Sequence, residues 1–242
     1  MNRITTIALL ALAWLGTAVE TRAEWQGDFS SLLQRHVQAG GVDYRGWAGN
    51  RADMDLLWEV VGSIAMEAPS GTRNQRLAWY LNAYNALVLH KMLVAYPWNK
   101  QPTDWRDRFL TTKDLIVAGA KVSLDDLEHR IIGPTFKDPR VHFALNRASM
   151  SCSPLRNRAY TAGTLNADLN AVTRSFLSEN PNGVRISLDG KHAEVSAIFD
   201  WFRDEFDHGD LRTFINRYRE QPIAPDASIS FLAYNWDRND LR

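Results

Sequence analysis

The sequence predicts an α+β fold, mostly helical with a small antiparallel sheet. Three observations lead there. Long segments carry apolar residues at helical spacing behind Ser or Asn caps. Short alternating runs are broken by turn residues, most clearly at Asp189-Gly190. Helices and strands mix without regular βαβ alternation.

Taken in order, residues 29–39 read as an amphipathic helix ended by Gly40-Gly41, and residues 42–50 as a connector. Asn50 caps a helix that runs to Met66, with Leu56, Leu57, Val60, Val61 and Ile64 on one side. Pro69-Ser70-Gly71 breaks the chain. Residues 75–96 form one long helix, apolar nearly all round and therefore largely buried, ended by Pro97. Residues 99–109 are irregular and aromatic. Residues 114–124 form two short strands around a Gly-Ala turn, and Ser123 caps a helix over 123–132. Residues 140–146 alternate as a strand. A helix over 164–178, a hairpin over 184–196, a helix capped by Ser196, a helix over 210–219 and a strand over 228–236 complete the chain.

Residues 1–23 carry a short basic start at Arg3, an apolar run from Ile4 to Val19 and small residues before Glu24. This is the pattern of a signal peptide cleaved after Ala23, which places the remainder, 24–242, in the periplasm or outside the cell as a single domain. The apolar run is shorter than the ~20 residues a spanning helix needs, so no stable membrane insertion is expected after cleavage. Removing Arg3, Arg22 and Glu20 turns 28 basic and 28 acidic residues into 26 and 27. That balance gives no electrostatic reason to expect nucleic acid. The nine tryptophans are read as packing and groove residues.

Cys152 is the single cysteine. An unpaired thiol in an exported chain invites oxidation, which directs attention to it. Ser153-Pro154 is a helix-start pattern, so Cys152 is expected beside the positive end of a helical turn, near Arg156 and Arg158. A small buried hydrophobe is the alternative. In the expected strand, Val141, Phe143 and Leu145 share the buried face, and His142 looks into a groove or out to water. In the 123–132 helix, Leu124, Leu127 and Ile131 form the apolar stripe. Glu128 sits at its edge and needs a partner, for which a histidine or an arginine serves. His129 falls on the outer side. Asn82 and Asn85 share one face of the long helix, where they either fasten a loop or line a pocket. Tyr80 and Tyr84 are read as packing residues, and His90 points away from the two asparagines.

Four stretches, residues 79–93, 123–132, 138–160 and 194–206, resemble domain-of-unknown-function family 547 in order and spacing, over about 77–206. The resemblance rests on Asn-x-Tyr-Asn at Asn82, Tyr84 and Asn85, on Glu128-His129, on His142 and on Ser-Cys-x-Pro at Cys152. It implies a second cysteine soon after His142, where this chain reads Asn146-Arg147-Ala148. That departure argues against a cysteine pair and leaves a single-thiol reading open.

Two functional classes follow. One is a thiol hydrolase or acyltransferase, with Cys152 as nucleophile, His142 as base, Glu128 orienting the imidazole, and Asn82, Asn85 and His129 binding substrate. By analogy this looks like a distant, rearranged relative of papain-like enzymes. The other is a non-catalytic periplasmic protein whose polar groove takes a peptide, glycan or protein ligand. No tight zinc motif and no nucleotide-binding glycine motif occurs, so neither a metal nor another cofactor is expected.

Overall fold

The structure is a computed structural model that describes residues 25–97 and 103–241; the side chains of 103–106 are not described. The export segment read over residues 1–23 lies outside the described residues.

Helix α1 (Trp25–His36) leads into a hairpin of β1 (Val37–Gln38) and β2 (Gly41–Val42). Gly40-Gly41 thus shapes a β-turn, not a helix end. Gly40 has φ +81°, and a Cβ there would collide with Pro154. The residues read as a connector form α2 (Tyr44–Gly49), because the Asp43 side chain accepts from the Gly46 N–H. Helix α3 (Arg51–Met66) starts on the Asn50 cap, as expected. Helix α4 (Arg73–Val94) begins at a Thr72–Gln75 capping box and is buried around most of its circumference. Residues 103–109, expected to be irregular, belong to α5 (Thr103–Thr111); the rest of that stretch, 99–102, lies outside the described residues.

Strands β3 (Leu115–Val117) and β4 (Ala120–Val122) pair antiparallel across Ala118-Gly119. Ser123 and Asp126 then exchange side-chain-to-backbone hydrogen bonds at 3.0 and 3.1 Å and start the next helix. Over Asp126–Ile132 it widens to π geometry, with the Gly133 N–H bonded to the Glu128 carbonyl, before closing as α6 (Gly133–Phe136).

The expected strand at 140–146 is a correction. Pro139–Phe143 is a 3₁₀-helix, held by Pro139 in its first turn and by Asp138 accepting from the Arg140 N–H. Residues 141–149 are all buried, so the alternation there does not report a single packed face. Val141, Ala144 and Leu145 join the core built by α1 to α4, whereas Phe143 joins a second core with Phe176, Phe199, Phe206 and Phe214. His142 therefore sits on the seam between the two.

The second core is closed by α7 (Leu165–Ser178), strands β5 (Val184–Ile186) and β6 (His192–Val195), α8 (Ile198–Trp201), 3₁₀ turns over Arg203–Glu205 and Asp207–Gly209, α9 (Leu211–Asn216) and β7 (Ser228–Phe231). Strands β5 and β6 form the expected antiparallel hairpin, and β7 adds in parallel to β6. The chain then returns to the first core. Asp240 bridges to Val42, Leu241 donates to the Val42 carbonyl, and Tyr44 Oη donates to Asn239 Oδ1 at 2.9 Å. The α+β class holds, and no helix among the described residues is long and apolar enough to cross a membrane.

Candidate functional site

Glu128 is 3% exposed and His142 1%. A carboxylate on the π-helical turn, beside the seam, cannot remain charged there without compensation. Two cations supply it. His142 Nδ1 lies 3.1 Å from Glu128 Oε1, and Arg147 Nη2 donates to the same oxygen. Burial pushes the Glu128 carboxyl up, but the charge of Arg147 and the hydrogen bond from His142 outweigh it and hold it at about 2. Arg147 was not singled out in the sequence; its type did appear, as one of the two partners Glu128 required.

The other ring nitrogen of His142, Nε2, lies 3.0 Å from Glu205 Oε2. Burial pulls the imidazole down, yet the hydrogen bonds to Glu128 and Glu205 raise it above the ordinary 6.5. A neutral ring has one N–H and can satisfy one carboxylate; the imidazolium satisfies both. Phe202 stacks on this ring at 3.8 Å between centroids and on His129 at 5.1 Å, so it lies between the two histidines.

Cys152 is buried, and no helix starts at Ser153-Pro154. This corrects the expected helix-end setting. Instead the segment folds as a turn: the Asn146 side chain donates to the Ser153 carbonyl at 2.9 Å, and Cys152 N–H reaches the Ser149 carbonyl at 3.1 Å. The sulfur receives the Arg147 backbone N–H at 3.0 Å and lies 3.1 Å from Ser149 Oγ and 3.0 Å from Tyr234 Oη. The expected direct pairing of Cys152 with His142 is not what the geometry brings together. The two are linked through Arg147, whose main chain meets the sulfur and whose side chain meets Glu128.

Asn82 and Asn85 take the fastening role. Asn82 bonds the N–H and carbonyl of Tyr160 at 2.8 and 2.9 Å. Asn85 bonds the Ala144 carbonyl at 3.0 Å and the Asn146 N–H at 2.9 Å. Neither lines the adjacent cavity. Both amides are occupied by main chain on either side of the candidate site.

That cavity measures about 230 Å³, and Glu128, His129, Arg147 and Tyr84 line it together with Trp201, Phe202 and Trp236. Trp201 and Trp236 stack at 5.7 Å, and Tyr234 packs against both. His129, half exposed as its place on the helix implied, has Nδ1 3.3 Å from the Asp125 carbonyl and 3.2 Å from Asp125 Oδ1. A groove of about 750 Å³ continues past His129 and Glu205. Among the described residues no group of His, Cys, Asp or Glu side chains is arranged to hold a metal ion.

The family model described as "Protein of unknown function, DUF547" matches residues 69–177. Residues 69–177 are similar to that family. Comparison with curated proteins and with solved structures finds no match. The DUF547 segment contains Tyr84, Glu128, His142, Arg147 and Cys152, so it supplies the polar floor. Trp201, Phe202, Glu205, Tyr234 and Trp236 come from the chain after the DUF547 match and supply the aromatic wall and the second carboxylate. No local pattern points to Glu205 or Tyr234, which lie 63 and 82 residues from the side chains they meet.

Proposed function

We propose that this protein acts outside the cytoplasm as a binding protein, holding a small ligand in the aromatic-walled cavity over Glu128 and Arg147 without transforming it. One observation carries the reading: both ring nitrogens of His142 are engaged by carboxylates. A doubly donating imidazolium has no lone pair with which to take a proton from Cys152, and the sulfur's own polar neighbours are Arg147, Ser149 and Tyr234.

The test is thiol reactivity. Iodoacetamide should modify Cys152 in the native protein at neutral pH at least about a hundredfold more slowly than in the unfolded chain, because the thiolate must first be uncovered. A native rate above the unfolded one reverses the reading. The compartment rests on the pattern of residues 1–23 and is tested by fractionating expressing cells and sequencing the mature amino terminus. Glu24 is the expected first residue; an unprocessed cytoplasmic chain overturns it.

A thiol hydrolase or acyltransferase remains the second reading, favoured by the three hydrogen-bonding groups gathered around the sulfur. It lacks a base. Burial and the neighbouring Cys152 raise Tyr234 well above the ordinary tyrosine value, so its hydroxyl keeps its proton.

A further inference from the structure

We infer that the ligand of this cavity is a saccharide ring, an inference that rests on the binding reading above and names its chemistry. Two buried polar atoms of the lining residues lack partners in the protein: Arg147 Nη1 and Tyr84 Oη. Both residues are more than nine-tenths buried, and both line the cavity. An unpaired buried donor is costly, so a site that retains two is built for an occupant that accepts hydrogen bonds.

Three ligand chemistries can be weighed. A purely apolar molecule leaves both donors unpaired. A carboxylate meets no net positive charge, because Arg147 and His142 are already balanced by Glu128 and Glu205, and Asp125 in the same lining repels it. A saccharide fits on both counts. Its hydroxyls accept from Arg147 and Tyr84 and donate to the carboxylates of Glu128 and Asp125. Its C–H face, weakly positive, lies against the negative faces of Trp201 and Trp236. Trp201 is 43% exposed, so the wall is open to an entering ring. The cavity of about 230 Å³ equals roughly eight water volumes, room for a single ring with its hydroxyls and not for a folded peptide.

The experiment titrates the full mature chain with glucose, galactose and N-acetylglucosamine, and in parallel with benzoate and diglycine, following tryptophan emission. Concentrations reach about 100 mM, enough to saturate a millimolar site. At least one sugar should give a saturable change that Trp201→Ala removes. Tyr84→Phe should weaken that sugar about two- to tenfold while leaving the thermal midpoint unchanged or higher, since the hydroxyl it deletes has no partner in the protein. Saturation by benzoate or diglycine with no response to any sugar overturns the saccharide assignment and leaves the binding reading standing. No response to any probe, or a sugar response indifferent to both variants, also overturns the assignment. Rapid native alkylation of Cys152, measured separately, removes the binding reading itself.

Discussion

His142 Nδ1 lies 3.1 Å from Glu128 Oε1, between side chains that are 1% and 3% exposed. Arg147 shares the same oxygen. Removing the anion leaves two cations buried with one exposed carboxylate between them. Glu128→Gln should therefore lower the unfolding free energy by about 3–5 kcal/mol. Glu205 is 41% exposed at its side chain, and Glu205→Gln should cost no more than about 1 kcal/mol. Urea denaturation of the two variants side by side checks the contrast; equal losses would mean that burial does not set the cost.

Acid and alkali should each weaken the fold, through different members of this network. Glu128 is held at about 2 against an ordinary 4.5, so its contribution is present above 4.5 and is lost as pH falls from there through about 2. His142 is raised above 6.5, so its contribution is complete below 6.5 and is lost as pH rises through the raised value. Glu205→Gln removes one of the groups that raises His142 and should shift the alkaline decline to lower pH. Denaturation midpoints collected from pH 2 to 9 at constant salt, together with the imidazole NMR titration, read both limbs (the range is about that spanned by the two groups).

Asn82→Ala and Asn85→Ala should each destabilise the protein by about 2–4 kcal/mol, since each strips partners from one buried N–H and one buried carbonyl. Ligand affinity measured well below the new melting temperature should stay near wild type for Asn82→Ala. A loss of binding with unchanged stability would return Asn82 to the ligand site.

Cys152→Ala leaves the Arg147 N–H and the Ser149 and Tyr234 hydroxyls facing a methyl group, and should cost about 1–3 kcal/mol. Cys152→Ser restores an acceptor and should recover part of that loss. Calorimetry of both variants decides whether the sulfur's hydrogen bonds or its bulk matters more; alanine outperforming serine would assign the site to packing.

Local chemistry was legible wherever one residue type settles one local structure. Asn50 and Ser123 cap where they were expected to, and Asp189-Gly190 turns the hairpin. The α+β class followed from these. Two features defeated the pattern. Residues 141–149 are enclosed on all sides, so spacing carried no information about facing, and Pro139 with Asp138 decided for a 3₁₀ turn. Ser153-Pro154 has the residues of a helix start, yet Ser153 is buried and its carbonyl is held by Asn146, which fixes a turn instead. At the site, Glu128's need for a cation was readable from its place on the stripe. Which cation answered, and that Glu205 and Tyr234 would arrive from far along the chain, depended on tertiary contacts that no local spacing encodes.

The return of residues 239–241 to β2 has a consequence for biogenesis. The Tyr44 hydroxyl, fully enclosed, finds its acceptor on Asn239, 195 positions later. A nascent polypeptide stalled before that point presents an amino-terminal half whose latch has not yet been made, and closing so long a loop draws on contacts formed along its whole length. Completion of the first core is thereby deferred until residues 239–241 have been made, and arrest at successive lengths should show protease resistance of that half rising only once they have emerged.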